Sequence, residues 1–138
     1  MTDREADAWV DPISQMTFEK LTMLAREVVE AVLKKLPTEV RAAATAVPVT
    51  FEAVPGEELI ADGLDADILG LFVGADLGGD PGGDQPFPPQ ILLFLENILD
   101  FAEGREAGYR REVRLTYLHE LGHYFGWNEE EVALRGLE

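Results

Sequence analysis

The apolar positions of the first third of the chain predict one long helix. They recur at the spacing of a helix that buries one face: Phe18, Leu21, Leu24, Ala25, Val28, Val29, Val32 and Leu36. This pattern predicts an amphipathic helix over Phe18–Lys35, with Thr17 as its N-cap and Pro37 as the residue that stops it. Thr38–Ala46 is predicted to form a short helix or a turn.

Three later apolar runs predict the strands of a small sheet. Val47–Ala53 alternates between apolar and polar residues and predicts a half-buried strand. Pro48 lacks a backbone N–H, which places this strand near a sheet edge. Ile68–Val73 is a continuous apolar run and is predicted to be more fully buried. Gln90–Leu95 is the third predicted strand.

Polar and glycine-rich segments separate these elements. Residues 1–15 are expected to be loosely ordered, and Pro55–Asp67 is predicted as an acidic loop or broken turn. Gly74–Pro89 is rich in Gly, Pro and Asp, which predicts a mobile loop. Such a long loop is either a functional flap or a plain surface excursion. Its carboxylates lack the pattern of a calcium-binding loop and are weak evidence for calcium: Asp76, Asp80 and Asp84.

Helical spacing returns in the last third of the chain. Glu96–Phe101 is predicted as a short helix, and Tyr109–Phe125 as a longer one that carries an apolar stripe of Val113, Tyr117, Leu121 and Phe125. Three strands with amphipathic helices predict the α+β class, with a small, twisted, mixed β-sheet packed against helices. At 138 residues, the sequence predicts a single domain over residues 1–138.

Charge and composition narrow the classes of partner. The net charge of −16 argues against nucleic acid and against anionic membrane surfaces, which both attract cationic proteins. It leaves open a basic peptide or protein substrate. The chain has no cysteine and therefore no disulfide or thiolate metal site. Without a signal-like or membrane-spanning apolar run, a cytoplasmic location is expected. The oligomeric state stays open.

Both histidines of the chain lie in one short motif. His119, Glu120 and His123 form an HExxH string within the predicted last helix. Residues four apart lie on one face of a helix, so both imidazoles can reach one metal ion, with Glu120 beside them to handle a proton from water. The alternative interpretation is two surface or core histidines on an ordinary helix.

The helical phase separates the metal face from the core face. His119 and His123 lie about 200° around the helix from Leu121, which belongs to the apolar stripe. The side chains predicted to share the non-core face are Glu112, Thr116, His119, Glu120 and His123. The core and the metal are therefore expected on opposite sides of one helix.

The residues after the motif supply a candidate third metal ligand. Gly126 follows three residues after His123, where a left-handed C-cap would end the helix and turn the chain back toward the metal. Trp127 is expected to pack over this turn. A catalytic zinc usually has three protein ligands and one open position. The downstream oxygen candidates are Asn128, Glu129, Glu130, Glu131 and Glu138, and Glu129 is preferred. These acids also fit the start of a short solvated helix.

The string HELGHYFGWNEE resembles the minimal zincin-like metallopeptidases, which are short acidic bacterial proteins. The resemblance extends from about Phe18 to Leu137 and includes the stretches VPVTFEAVP, ILGLFVG and PPQILLFLENIL. It implies a zincin-like fold with HExxH on the active-site helix and one Zn²⁺ per chain. It also implies metal ligands at His119 and His123, an acidic third ligand at Glu129 and a catalytic base at Glu120.

The sequence therefore predicts a zinc-dependent metallopeptidase, a hydrolase that cleaves peptide bonds with a metal-activated water and Glu120 as general base. The leading alternative is a zinc-binding protein-interaction module with little or no turnover. A metal-dependent ribonuclease is a more distant alternative, because such enzymes generally carry a third histidine and a basic surface. Tyr109, Tyr117 and Tyr124 are candidates for stabilising an oxyanion by residue type alone.

Overall fold

The computed structural model describes residues 17–74, 88–127 and 130. The predicted loose segment 1–15 and most of the predicted mobile loop, residues 75–87, lie outside the described residues. The elements follow one another as α1 (Phe18–Lys35), α2 (Thr38–Thr45), β1 (Val49–Glu52), α3 (Glu57–Ala61), β2 (Gly70–Val73), β3 (Gln90–Phe94), α4 (Leu95–Phe101) and α5 (Glu106–Phe125). The predicted α+β class with a small mixed sheet is confirmed.

Helix α1 has the predicted bounds because both of its ends are capped. The Thr17 hydroxyl accepts a hydrogen bond from the Lys20 N–H at 3.3 Å, as expected of an N-cap. At the other end, the Arg41 guanidinium donates to the carbonyls of Lys34 and Leu36 at 2.8 and 2.9 Å. These two carbonyls lie where a helix runs out of its own donors, so α2 helps to close α1.

The sheet has the order β1–β3–β2, with β1 parallel and β2 antiparallel to the central strand β3. The predicted edge position of the first strand is confirmed. The prediction that Ile68–Val73 is more fully buried was wrong, because β2 is the other edge strand and is only half-buried along its length. The most buried strand is β3, which has a neighbour on each side.

The hydrophobic core lies between the sheet and the two long helices. Ile91 and Leu93 from β3 join the buried faces of α1 and α5. One buried polar contact ties these helices together: the Tyr109 hydroxyl donates to the Leu21 carbonyl at 2.8 Å. The orientation of α5 relative to the core therefore depends on packing and on this hydrogen bond.

Helix α5 begins three residues earlier than predicted, at Glu106 instead of Tyr109. Gly108 lies inside this helix, and a Cβ at this position would sit 3.2 Å from the Ala102 Cβ. The glycine thus allows α4 and α5 to approach closely. The predicted acidic loop 55–67 also contains the short helix α3. None of the helices in the described part of the chain is long and apolar enough to cross a membrane.

Two buried tyrosines of α5 should respond differently to loss of the hydroxyl. Tyr109→Phe removes a buried hydrogen bond and is expected to lower the free energy of unfolding by about 1 kcal/mol. The Tyr117 hydroxyl is buried without a hydrogen-bond partner among the described residues, so Tyr117→Phe should be neutral or stabilising. Urea unfolding of the two variants measures the difference, and equal losses would contradict it.

Tyr109 should also make the stability of the protein depend on pH. Burial raises the pKa of the Tyr109 phenol above its ordinary value, because a buried phenolate would lose its hydration. A raised folded-state pKa contributes stability that is complete below about pH 10, the unfolded value, and that is lost as the pH rises above it. Tyr109→Phe should therefore flatten the loss of stability above pH 10.

Candidate metal centre

Helix α5 ends as the sequence predicts, three residues after His123. Gly126 adopts the left-handed conformation with φ 75°, and the Trp127 N–H donates to the Gly122 carbonyl at 2.7 Å. The Trp127 ring stacks on Phe125, with ring centroids 4.6 Å apart and planes inclined by 19°. This capped, aromatic turn fixes the end of the helix that carries the histidines.

The two histidines lie together on the exposed surface of α5. Their ring centroids are 4.8 Å apart and their planes are nearly perpendicular, at 87°. The possible metal-binding atoms of His119, Glu120 and His123 all lie within 4.8 Å of one another. Two ligands of a tetrahedral zinc lie about 3.3 Å apart for bonds of about 2 Å. Side-chain rotation can close this difference, so the donor set fits a zinc ion.

Glu120 is buried although it lies beside the exposed histidines. The sequence predicted that Thr116 and Glu120 share the non-core face with His119 and His123. That face is not uniform, because Thr116 is only 8% exposed and Glu120 only 7%, whereas both histidines are exposed. The physical reason is that α5 packs against strand β2 as well as against α1, and these two residues face the strand.

A row of α5 side chains spaced by one helical turn runs along β2. The first, Thr116, lies against Gly70. Next in the row is Glu120, whose pKa is lowered by a backbone hydrogen bond from Phe72, although burial raises it more. The Tyr124 ring contacts the Phe72 ring, with centroids 6.0 Å apart. The contacts of Gly70 and Phe72 with α5 were not predicted from the sequence, although a glycine inside a strand pattern is a signal for close approach of another element.

Gly70 sets the distance between β2 and the helix of the histidines. A Cβ at this position would lie 2.6 Å from the Thr116 Cγ2 and 3.2 Å from the Leu92 carbonyl oxygen. Gly70→Ala is therefore expected to lower the free energy of unfolding by about 1–3 kcal/mol, as overpacking does. Thr116→Ser removes the clashing methyl group, so the double variant should recover part of the loss in thermal or urea unfolding. Unchanged stability of Gly70→Ala would contradict this close packing.

The environment of Glu120 makes its carboxyl group more basic than a surface glutamate. Burial raises the pKa of Glu120, and this effect outweighs the opposing influence of His119, His123 and the hydrogen bond from Phe72. The structure thus brings together two exposed nitrogen donors and one buried, desolvated carboxylate. This is the combination of groups that metal-assisted hydrolysis requires.

The predicted third ligand, Glu129, lies outside the described residues, as do Asn128, Glu131 and Glu138. Glu130 is described, and its side chain is exposed. The described residues therefore contain three of the four predicted site residues, and these three form one cluster.

Comparison with known protein families agrees with this geometry. The family model of the zincin-like metallopeptidases matches residues 44–137, which include all three strands, helix α5 and the whole HExxH motif. No curated protein sequence matches the chain. Because the matched segment covers most of the chain and contains the clustered His119, Glu120 and His123, the protein belongs to the zincin-like metallopeptidase family.

Proposed function

We propose that the protein is a zinc-dependent peptidase in which His119 and His123 hold the metal and Glu120 is the general base. The observation that carries this proposal is the cluster itself: two imidazoles one helical turn apart with a carboxylate, and ligand atoms within 4.8 Å of one another. Family membership supports the same conclusion at a coarser level.

The donor set favours zinc among the common metals. Neutral imidazole is a preferred zinc ligand, whereas magnesium and calcium prefer sites built from oxygen. The chain has no cysteine and no further histidine. The imidazoles of His119 and His123 are therefore the only imidazole ligands that it can offer, and it has no thiolate ligand. When bound, zinc would polarise a peptide carbonyl and lower the pKa of a water molecule toward neutrality.

Glu120 is suited to move protons at this site. Its carboxylate lies near the histidines but is buried, whereas their rings are exposed. A carboxylate in this position can accept a proton from an attacking water and return it to the leaving amine of the peptide. The short separation from the histidines supports a mechanism in which the base and the metal act on the same reacting group.

A third protein ligand completes the proposed site. Glu129 is our candidate, because it follows Gly126, at which α5 ends and the chain changes direction. Two histidines, one carboxylate and one open position form a common set for catalytic zinc.

A peptide substrate is supported by the position of the site beside an edge strand. Extended peptides can bind a sheet by adding a strand at its edge, and β2 is an edge strand that packs against α5. The net charge of −16 favours peptides rich in Lys and Arg through long-range attraction.

The proposed function is tested by metal-dependent hydrolysis of a peptide library that includes Lys- and Arg-rich members. Zinc-loaded protein should cleave peptides, a chelator should stop cleavage, and added zinc should restore it. The apolar core does not depend on the ion, so the chelated protein should stay folded by circular dichroism. Zinc binding without hydrolysis across the library would favour the binding module over the enzyme.

A further inference from the structure

Strand β1 forms the edge of the sheet opposite β2, and part of its backbone is free to pair. Alternate residues of a parallel strand direct both backbone groups toward the partner strand. The Pro48 carbonyl accepts from the Ile91 N–H at 2.9 Å, so Pro48 and every second residue after it face β3. The N–H and C=O of Val49 and Phe51 therefore point outward. Among the described residues, no backbone hydrogen bond outside the sheet uses them.

An acidic groove lies on the sheet face beside this edge. The residues on either side of Leu92 belong to the core cluster, so Leu92 points to the sheet face turned away from α1 and α5. A groove of about 550 Å³ lies there, between the sheet and α3. Its lining includes Leu92, which is buried, and the exposed side chains of Glu52, Glu57 and Glu58. No cationic side chain of the described residues lines it.

A strand added to β1 would meet a different surface on each side. On the groove side its side chains would lie beside Thr50 and Glu52, about 5 Å away between Cβ atoms and within reach of a lysine. On the other side they would lie beside Val49 and Phe51, which are apolar and half-buried. We propose that the free edge of β1 and the acidic groove together bind an extended protein segment in which basic and apolar residues alternate.

Charge favours this partner over a second copy of the chain. Unpaired strand edges also attract identical edges. Pairing of two β1 strands would bring acidic edges together, and like charges on neighbouring strands are destabilising. Each chain also carries a net charge of −16. Helix α5 packs on the opposite face of the sheet, so this surface is separate from the candidate metal centre and does not depend on the proposed function.

The surface is tested with a blocked peptide of about six alternating Lys and Val residues, the length of an ordinary strand. It is added to the zinc-loaded Glu120→Gln protein, in which cleavage should be slow. At a peptide concentration tenfold above Kd, amide exchange measured by NMR should slow about tenfold at Val49 and Phe51, because only the free protein exchanges there. A peptide of alternating Glu and Val should have no effect. Unchanged exchange at Val49 and Phe51, or protection confined to the amides of β2, would overturn the proposal.

The contribution of the groove is tested with two variants of equal net charge. Glu52→Gln/Glu57→Gln should weaken binding of the Lys–Val peptide by about fivefold, the effect of losing two exposed ion pairs. Glu19→Gln/Glu30→Gln changes two exposed residues of α1 and should leave the affinity nearly unchanged. Equal affinities of both variants and the wild type would overturn the role of the groove.

N-methylation of the peptide separates backbone pairing from charge. Only alternate amides of an added strand face β1. Methylation of all Lys amides or of all Val amides should therefore abolish binding in one case and preserve it in the other. Equal effects of the two methylated peptides would overturn the strand addition. Metal-dependent hydrolysis by the wild type tests the proposed function separately, so failure of either proposal leaves the other standing.

Discussion

Replacement of either histidine by alanine should reduce the zinc content from about one ion per chain to nearly none. A single imidazole cannot hold zinc tightly, and the chain has no other histidine and no cysteine to take its place. Both rings are exposed on α5, so neither change should disturb the core. Zinc is measured by elemental analysis after dialysis, and Arg114→Ala on the same helix is the matched control.

Equal zinc content in the wild type, His119→Ala and His123→Ala would contradict the metal site. Zinc affinity should also fall in acid, because only the neutral form of histidine binds the metal.

The assignment of the third ligand is tested by the same measurement. Glu129→Gln should weaken zinc binding clearly more than Glu130→Gln or Glu131→Gln, because the amide loses the negative charge that favours the ion. Damage from Glu130→Gln instead would show that the register after Gly126 is shifted by one residue. Equal affinities of all three variants would exclude these glutamates as ligands.

Glu120→Gln should lower peptide hydrolysis by about 100-fold or more while zinc content stays near that of the wild type. Glutamine keeps the size of the buried side chain, but it cannot take a proton from water. The melting temperature should therefore change little. The measurements are initial hydrolysis rates and zinc content on the same samples.

Glu112→Gln, an equivalent change elsewhere on α5, serves as the control and should leave the rate unchanged. Wild-type rates in the Glu120→Gln protein would show that a contaminating protease produces the cleavage.

Local sequence patterns were sufficient to predict several features of the structure. The spacing of apolar residues predicted α1 with its bounds, and Thr17 is the N-cap that its residue type suggests. The HExxH spacing predicted that His119 and His123 share one face of the helix, because four residues make about one helical turn. The structure shows that both are exposed. Gly126 ends α5 in the left-handed conformation that its position predicted.

The environment of Glu120 could not be predicted from periodicity. The apolar stripe of α5 marks the side that packs on α1, but the side that packs on β2 carries Thr116, Glu120 and Tyr124. Two of these three residues are strongly polar, so the second buried face has no hydrophobic signal. Burial of a polar group beside a strand edge is a tertiary effect, which depends on where the strand lies.

The order of the strands in the sheet could not be predicted from local sequence patterns either. The apolar run Ile68–Val73 was predicted to be more fully buried, yet β2 is an edge strand against which the helix packs. Gly70 allows this arrangement, since any side chain there would meet Thr116. The same glycine thus brings the sheet close to the helix that carries the candidate site.

The binding of a zinc ion by His119 and His123 is tested most directly by an anomalous X-ray map of zinc-loaded crystals at the zinc absorption edge. We expect one strong peak per chain, about 2 Å from a ring nitrogen of each histidine, and no such peak in crystals of His123→Ala. A peak bound by other residues, or no peak between the two imidazoles of the wild-type protein, would contradict it.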